Sequence, residues 1–271
     1  RLMDKIIISN TTIQTKIGLK SGKRLDYFGD IPESTIILKA GQINRHKLNN
    51  HMEELQLKLN SIEWLEQISN MEELKRLTLF GKKGFYFQFK SGAFEKLKKL
   101  QELKLSYFTL QSATFVNLHN LKVVDFSYVN IDSYDFINQM QLQVFRCQIQ
   151  YTKQIENVQT QPTVTECSFR LSLNIQDLNF LSKFPNTQKL EIFGHKKAKQ
   201  LDFSPMQQLK LSTLKIENLK FDCGIFSIMD TQSMTSLTLN CPVVNQLVLQ
   251  KLQIERLFVQ SLENAESIWQ E

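Results

Sequence analysis

Gly92 to Ile131 reads GAFEKLKKLQELKLSYFTLQSATFVNLHNLKVVDFSYVNI, and one apolar pattern occurs in it twice. Phe94, Leu97, Leu100, Leu103, Leu105 and Leu110 are followed 21 residues later by Phe115, Leu118, Leu121, Val124, Phe126 and Ile131. A fixed period of this size marks a structural repeat, in which each unit buries its apolar side chains against its neighbours.

Extending the register outward gives ten repeats starting at 52, 74, 100, 121, 142, 164, 187, 211, 234 and 254, with steps between 20 and 26 residues. The fourth position holds Leu55, Leu77, Leu103, Val124, Phe145, Cys167, Leu190, Leu214, Leu237 and Leu257. The sixth holds Leu57, Leu79, Leu105, Phe126, Cys147, Phe169, Ile192, Ile216, Leu239 and Val259. Hydrophobic residues are 42% of the chain, so two unbroken apolar columns are a pattern rather than a reflection of composition. Side chains two apart share a face of a strand, so each repeat is predicted to contribute a short strand with these two positions inward and the fifth exposed.

The L-x-x-L-x-L rhythm resembles the leucine-rich repeat superfamily from Met52 to about Leu262. The resemblance implies an α/β solenoid: a curved array with a parallel concave β-sheet and helical or irregular convex segments. It also implies interaction rather than turnover. Apolar sets such as Ile62, Leu65 and Ile68, or Leu178, Leu181 and Phe184, would pack behind the sheet. Residues 1–51 read as an N-terminal cap and a degenerate first repeat, with strands at Ile6–Ile8 and Ile36–Leu38; 52–262 is the array and 263–271 the C-terminal end. The sequence departs from the family at the ninth position, where asparagine is the rule and only Asn60 matches. It departs again at the 26-residue step, which holds an insertion around Phe85, Phe87 and Phe89. Their period-two spacing predicts an extra strand packed on the array, with a projecting aromatic edge as the other reading.

Composition bounds the function. With 22% charged residues the chain is of ordinary globular type, and the 9 Gly and 5 Pro argue against a succession of tight hairpins. The net charge of +6 permits an acidic partner, but the basic residues follow no nucleic-acid motif. No stretch of about 18 apolar residues is present to span a membrane. Cys147, Cys167, Cys223 and Cys241 lack C-x-x-C spacing and the cysteine-rich caps common in extracellular members of the family. An intracellular, reducing compartment with four free thiols is therefore expected, although the sequon Asn10-Thr11-Thr12 points outward. The sequence starts at Arg1, so a signal peptide, anchor or catalytic domain of a longer chain would lie outside it.

His46, His51, His119 and His195 have no nucleophile or carboxylate at a recognised spacing, and no phosphate-binding loop or metal motif accompanies them. No catalytic residue, metal or cofactor is expected. The predicted function is a non-catalytic protein-interaction module or scaffold subunit. The alternatives are a ligand-binding receptor ectodomain and the regulatory or targeting domain of a longer enzyme. The candidate partner surface is the concave face of the middle repeats: Lys104, Asp125 and Arg146 in the fifth column, and Tyr107 and Tyr128 at the eighth position, with Phe80 and Phe193 in flanking repeats. The three charges read equally as a solvated ladder of self-neutralising groups, and the tyrosines as half-buried fillers. A basic rim, Lys82 and Lys83 with Lys196, Lys197 and Lys199, follows two strands and reads as a solvated edge or a seat for an acidic partner.

Overall fold

A computed structural model describes residues 4–10, 13–19, 35–39, 53–59, 68–81, 87–89, 92–115, 117–195, 201, 204–219, 225–229, 234–240, 246–250, 254–260 and 267–270. The chain divides into two compact units, Arg1–Asp132 and Ser133–Glu271.

In the first unit, β1 (Asp4–Asn10) and β2 (Ile13–Leu19) form an antiparallel hairpin. β1 also pairs antiparallel with β3 (Thr35–Lys39), and from β3 onward the sheet is parallel. It continues through β4 (Glu54–Lys58), β5 (Arg76–Phe80), β7 (Glu102–Leu110) and β8 (Val123–Ile131). Ile36, Leu55, Leu77, Leu103 and Val124 stand opposite one another along it, which is the predicted fourth-position column with one earlier member.

The second unit repeats the plan with β9 (Val144–Ile149), β10 (Glu166–Leu171), β11 (Lys189–Phe193), β12 (Thr213–Glu217), β14 (Met234–Asn240) and β16 (Ile254–Gln260), all parallel. Phe145, Cys167, Leu190, Leu214, Leu237 and Leu257 are in register. One strand per repeat, paired in parallel with its neighbours, is the leucine-rich repeat solenoid architecture.

The two columns form the sheet-side layer of the core. Every described side chain at the fourth position is fully inaccessible, and none at the sixth exceeds 1% exposure. Burial is worth about 1.5–3 kcal/mol per aliphatic or aromatic side chain, and each repeat adds to the columns other buried residues such as Leu100, Phe115 and Leu118. The backbone adds a regular seam where the strands start. The carbonyls of Glu53, Lys75, Gln101, Gln143, Thr165, Gln188 and Ser212 each accept hydrogen bonds from two successive N–H groups of the next repeat, at 2.7–3.3 Å.

The fifth position differs from expectation. Gln56, Thr78, Lys104, Asp125, Arg146, Glu191, Lys215 and Thr238 are half-buried, and Ser168 is buried. Parallel strands lie only about 4.8 Å apart, so long neighbouring side chains shade one another and cover a short one such as Ser168.

Much of the described return segments is tighter than an α-helix. Apolar residues recur at intervals of three, and N–H groups bond three residues back: Met71 to Ile68, Leu97 to Phe94, Leu118 to Phe115, Ile137 to Tyr134, and Leu181 to Leu178. Residues three apart eclipse in a 3-10 helix, so this spacing puts one stripe against the sheet. Short 3-10 helices occupy Ser112–Phe115, Asp135–Gln139, Asn179–Lys183 and Ser204–Gln208, and a single α-helical turn spans Lys153–Glu156. Toward the end of the chain the described parts of the return paths are strands. β13 (Ile225–Met229), β15 (Gln246–Gln250) and β17 (Ser267–Gln270) form a second parallel sheet. Ile225-Phe226, Leu247-Val248-Leu249 and Ile268-Trp269 supply the β-branched and aromatic residues that favour it.

The absent asparagine column is replaced by backbone pairing. At the eighth position Leu59, Gly81, Gly194 and Asn218 donate N–H bonds to carbonyls of the following repeat, at 2.8–2.9 Å. A Cβ at Gly194 would lie 2.0 Å from Leu219 Cδ2, so a larger residue there would have to displace that buried side chain. The insertion contributes β6 (Phe87–Gln88), which pairs in parallel with the far half of β7. Phe89 is buried, its ring 5.0 Å from Phe94 and 4.9 Å from Phe108, as the packed-strand reading expects.

This register predicts that Leu103→Ala and Leu105→Ala each cost about 2–5 kcal/mol in a urea titration. Lys104→Ala, between them, should cost less than about 1 kcal/mol.

Candidate interaction surface

The surface is built around a change of side-chain parity in β7 and β8. Up to Leu105 the buried residues are Leu103 and Leu105; beyond it they are Phe108 and Leu110, a step of three rather than two. β8 makes the same change, from Val124 and Phe126 to Val129 and Ile131. Period-two alternation cannot deliver both pairs to one face without an extra residue, so the strands carry irregularities. Register runs Lys104 to Asp125, then Ser106 to Tyr128, then Phe108 to Val129. Tyr107 adopts the left-handed region with φ 67°, an uncommon conformation for a bulky aromatic residue.

The residues displaced by these irregularities are the two tyrosines. Their rings stack with centroids 5.1 Å apart and planes 12° from parallel. Tyr128 is 40% exposed and Tyr107 half-buried. On the neighbouring strand Phe80 stands opposite Ser106 and is 36% exposed. An aromatic surface therefore lies across the exits of β5, β7 and β8.

The charged candidates are engaged within the sheet. Lys104 and Asp125 are register neighbours; Lys104 forms an ion pair with Glu102, and Ser127 donates a hydrogen bond to Asp125. Arg146 belongs to the second unit, where Nη2 pairs with Glu166 and Nε donates to the same carboxylate at 3.1 Å. Lys189 Nζ lies 3.2 Å from Glu166 and 3.8 Å from Glu191, and Lys215 lies 3.0 Å from Glu217. Phe193 sits under Arg170 and Lys215, whose cationic ends are 4.7 and 5.1 Å from its ring centroid. Lys82, Lys83, Lys196, Lys197 and Lys199 lie outside the described residues.

Tyr151 and Leu173 are also exposed, at 52% and 44%, and neither fell in the aligned columns. The signal for them was available: both occupy the tenth position, where successive repeats read tyrosine, leucine and lysine.

No family model and no curated protein matches this chain. Among solved structures, the chain is similar to an internalin, InlF from Listeria monocytogenes, at 15% identity and a TM-score of 0.48, covering 86% of each chain.

Burial raises the pKa of Glu166, but hydrogen bonds from Arg146 and Lys189 outweigh it and hold the carboxyl below its ordinary 4.5. A group depressed in the folded state stabilises above its unfolded pKa, and that contribution is lost as pH falls through the folded value. Wild type should therefore exceed Glu166→Gln in stability at neutral pH, by no more than about 1 kcal/mol. The gap should close in urea titrations performed well below pH 4.5.

Proposed function

We propose that this chain is a protein-interaction module without catalysis of its own, and that a partner protein seats on the stacked pair Tyr107 and Tyr128. The observation that carries the reading is the exposed stack itself, joined to a strained backbone. A left-handed conformation costs a non-glycine residue roughly 1–2 kcal/mol, and Asn or Gly would relieve it. Tyrosine at such a point offers a rigid, amphipathic contact that interfaces favour. Phe80 widens the apolar area, while Lys104 and Asp125 provide a polar flank.

The proposal places the module in a reducing compartment, with all four cysteines as free thiols. Cys147 and Cys167 are buried and unbridged, each opposite a phenylalanine rather than the other: Cys147 faces Phe169 and Cys167 faces Phe145. Burial pushes the Cys167 thiol up to about 12, so it is inert at neutral pH. Thiol titration of the unfolded, unreduced chain should count four reactive groups, the number of cysteines in the sequence. Two or fewer would favour an oxidising compartment and the receptor alternative.

The binding site is tested by Tyr107→Gly combined with Tyr128→Ser. Relief of about 1–2 kcal/mol of strain offsets the loss of about 0.5–1.5 kcal/mol of ring stacking, so stability should change by less than about 1 kcal/mol. Affinity for a partner recovered by pull-down with the wild-type chain should fall by more than about 2 kcal/mol. Unchanged affinity would remove the tyrosines from the interface.

A further inference from the structure

Given the tyrosine stack as the binding site, the rows of residues beside it in the first unit decide what kind of partner it admits. Register aligns the third, fifth and seventh positions of β4, β5, β7 and β8 into three rows. Glu54, Arg76, Glu102 and Val123 form the first; Gln56, Thr78, Lys104 and Asp125 the second; Lys58, Phe80, Ser106 and Tyr128 the third.

Charge is balanced within these rows. Glu54, Glu102 and Asp125 are three acidic residues against three basic ones, Lys58, Arg76 and Lys104, in a chain whose net charge is +6. The balance is also built from contacts. Arg76 Nη2 and Nε donate to the Glu54 carboxylate at 2.6 and 3.0 Å. Lys104 pairs with Glu102, and the Ser127 hydroxyl donates to Asp125. Opposite charges fixed side by side cancel at a distance, so these rows project little field toward an approaching molecule.

The groups around the stack are neutral as well. Short Ser106 stands in register between Phe80 and Tyr128, both exposed, and beyond the break Thr109 stands opposite the exposed Asn130. Tyrosine supplies rigid contact area, and serine and asparagine supply adaptable hydrogen bonds, a mixture also found in antibody paratopes. A charged side chain seated here would exchange water for aromatic rings and for ions that already have partners, at a desolvation cost.

We propose that the partner of the tyrosine stack presents an uncharged segment, with apolar side chains flanked by hydroxyl or backbone hydrogen-bonding groups, rather than the acidic segment that an excess of basic residues would attract. Encounter is then unsteered, in the range of about 10⁵–10⁶ M⁻¹s⁻¹ and nearly independent of salt.

Selection of a random peptide display library on the immobilised 271-residue chain tests the proposal. Peptides that bind the Tyr107→Gly, Tyr128→Ser chain at least about tenfold more weakly than the parent define the site. Those peptides should be depleted in Asp, Glu, Lys and Arg relative to the library. Their affinity should change by less than about twofold between about 0.05 and about 0.5 M salt. Replacing a central residue of such a peptide by Glu should weaken it at least about tenfold. Tyrosine-dependent peptides that are rich in charged residues, or that lose affinity at least about tenfold as salt is raised, would overturn the proposal while leaving the site in place. Acidic peptides of that kind would bring in Lys82 and Lys83, which follow the β5 exit in sequence. If no selected peptide depends on the tyrosines, the site itself fails, and the proposal with it.

Discussion

Each repeat can bury its fourth and sixth side chains only because the repeats beside it do the same. A strand bearing Leu103 and Leu105 leaves both exposed unless Leu77 and Leu79 stand on one side and Val124 and Phe126 on the other. Register is therefore set by apolar burial, and the paired hydrogen bonds at the strand starts hold it there. A shift of one residue would place Lys104 and Asp125 in the core, at a desolvation cost that no single repeat could offset.

This constraint also explains where the surface departs from regularity. Phe108, Leu110, Val129 and Ile131 are additional apolar residues on strands longer than their neighbours, and they reach the core only through a break in alternation. The break turns Tyr107 and Tyr128 outward. The insertion before β7 is tied to the same event, since β6 pairs with the half of β7 beyond the break and Phe89 packs on Phe108. Aromatic exposure, backbone strain and the extra strand are three consequences of one change of parity. The acidic and basic side chains of the sheet face are otherwise largely turned toward one another, as in the Arg146, Glu166 and Lys189 cluster.

The columns of buried residues were legible in the sequence because strand burial writes a period of two and repetition writes it ten times. The strand at Ile36–Leu38 was legible as a short apolar run, and the insertion strand from its period-two phenylalanines. The return paths were less so: a spacing of three, as in Phe94, Leu97 and Leu100, is compatible with α-helical and 3-10 turns, and hydrogen bonding decides between them. The change to strands at β13, β15 and β17 depends on neighbours pairing with one another, which no single segment states. Among the site residues, the adjacency of Tyr107 and Tyr128 followed from the 21-residue step, but their stacking followed from the irregular register. Arg146 was grouped with Lys104 and Asp125 by column, and its pairing with the third-position Glu166 is set by side-chain reach rather than by repeat position. Tyr151 and Leu173 escaped notice because the tenth position lies beyond the strand, where no burial pattern aligns the repeats.

The change of parity in β7 is open to direct measurement by introducing cysteine singly at each position from 103 to 110 and timing its modification in the folded chain, against the background of the natural thiols. The account predicts protection at 103, 105, 108 and 110 and rapid labelling at 107, a step of three between the two protected pairs. Strict alternation, with 103, 105, 107 and 109 protected and 108 and 110 labelled, would contradict it and return Tyr107 to the core.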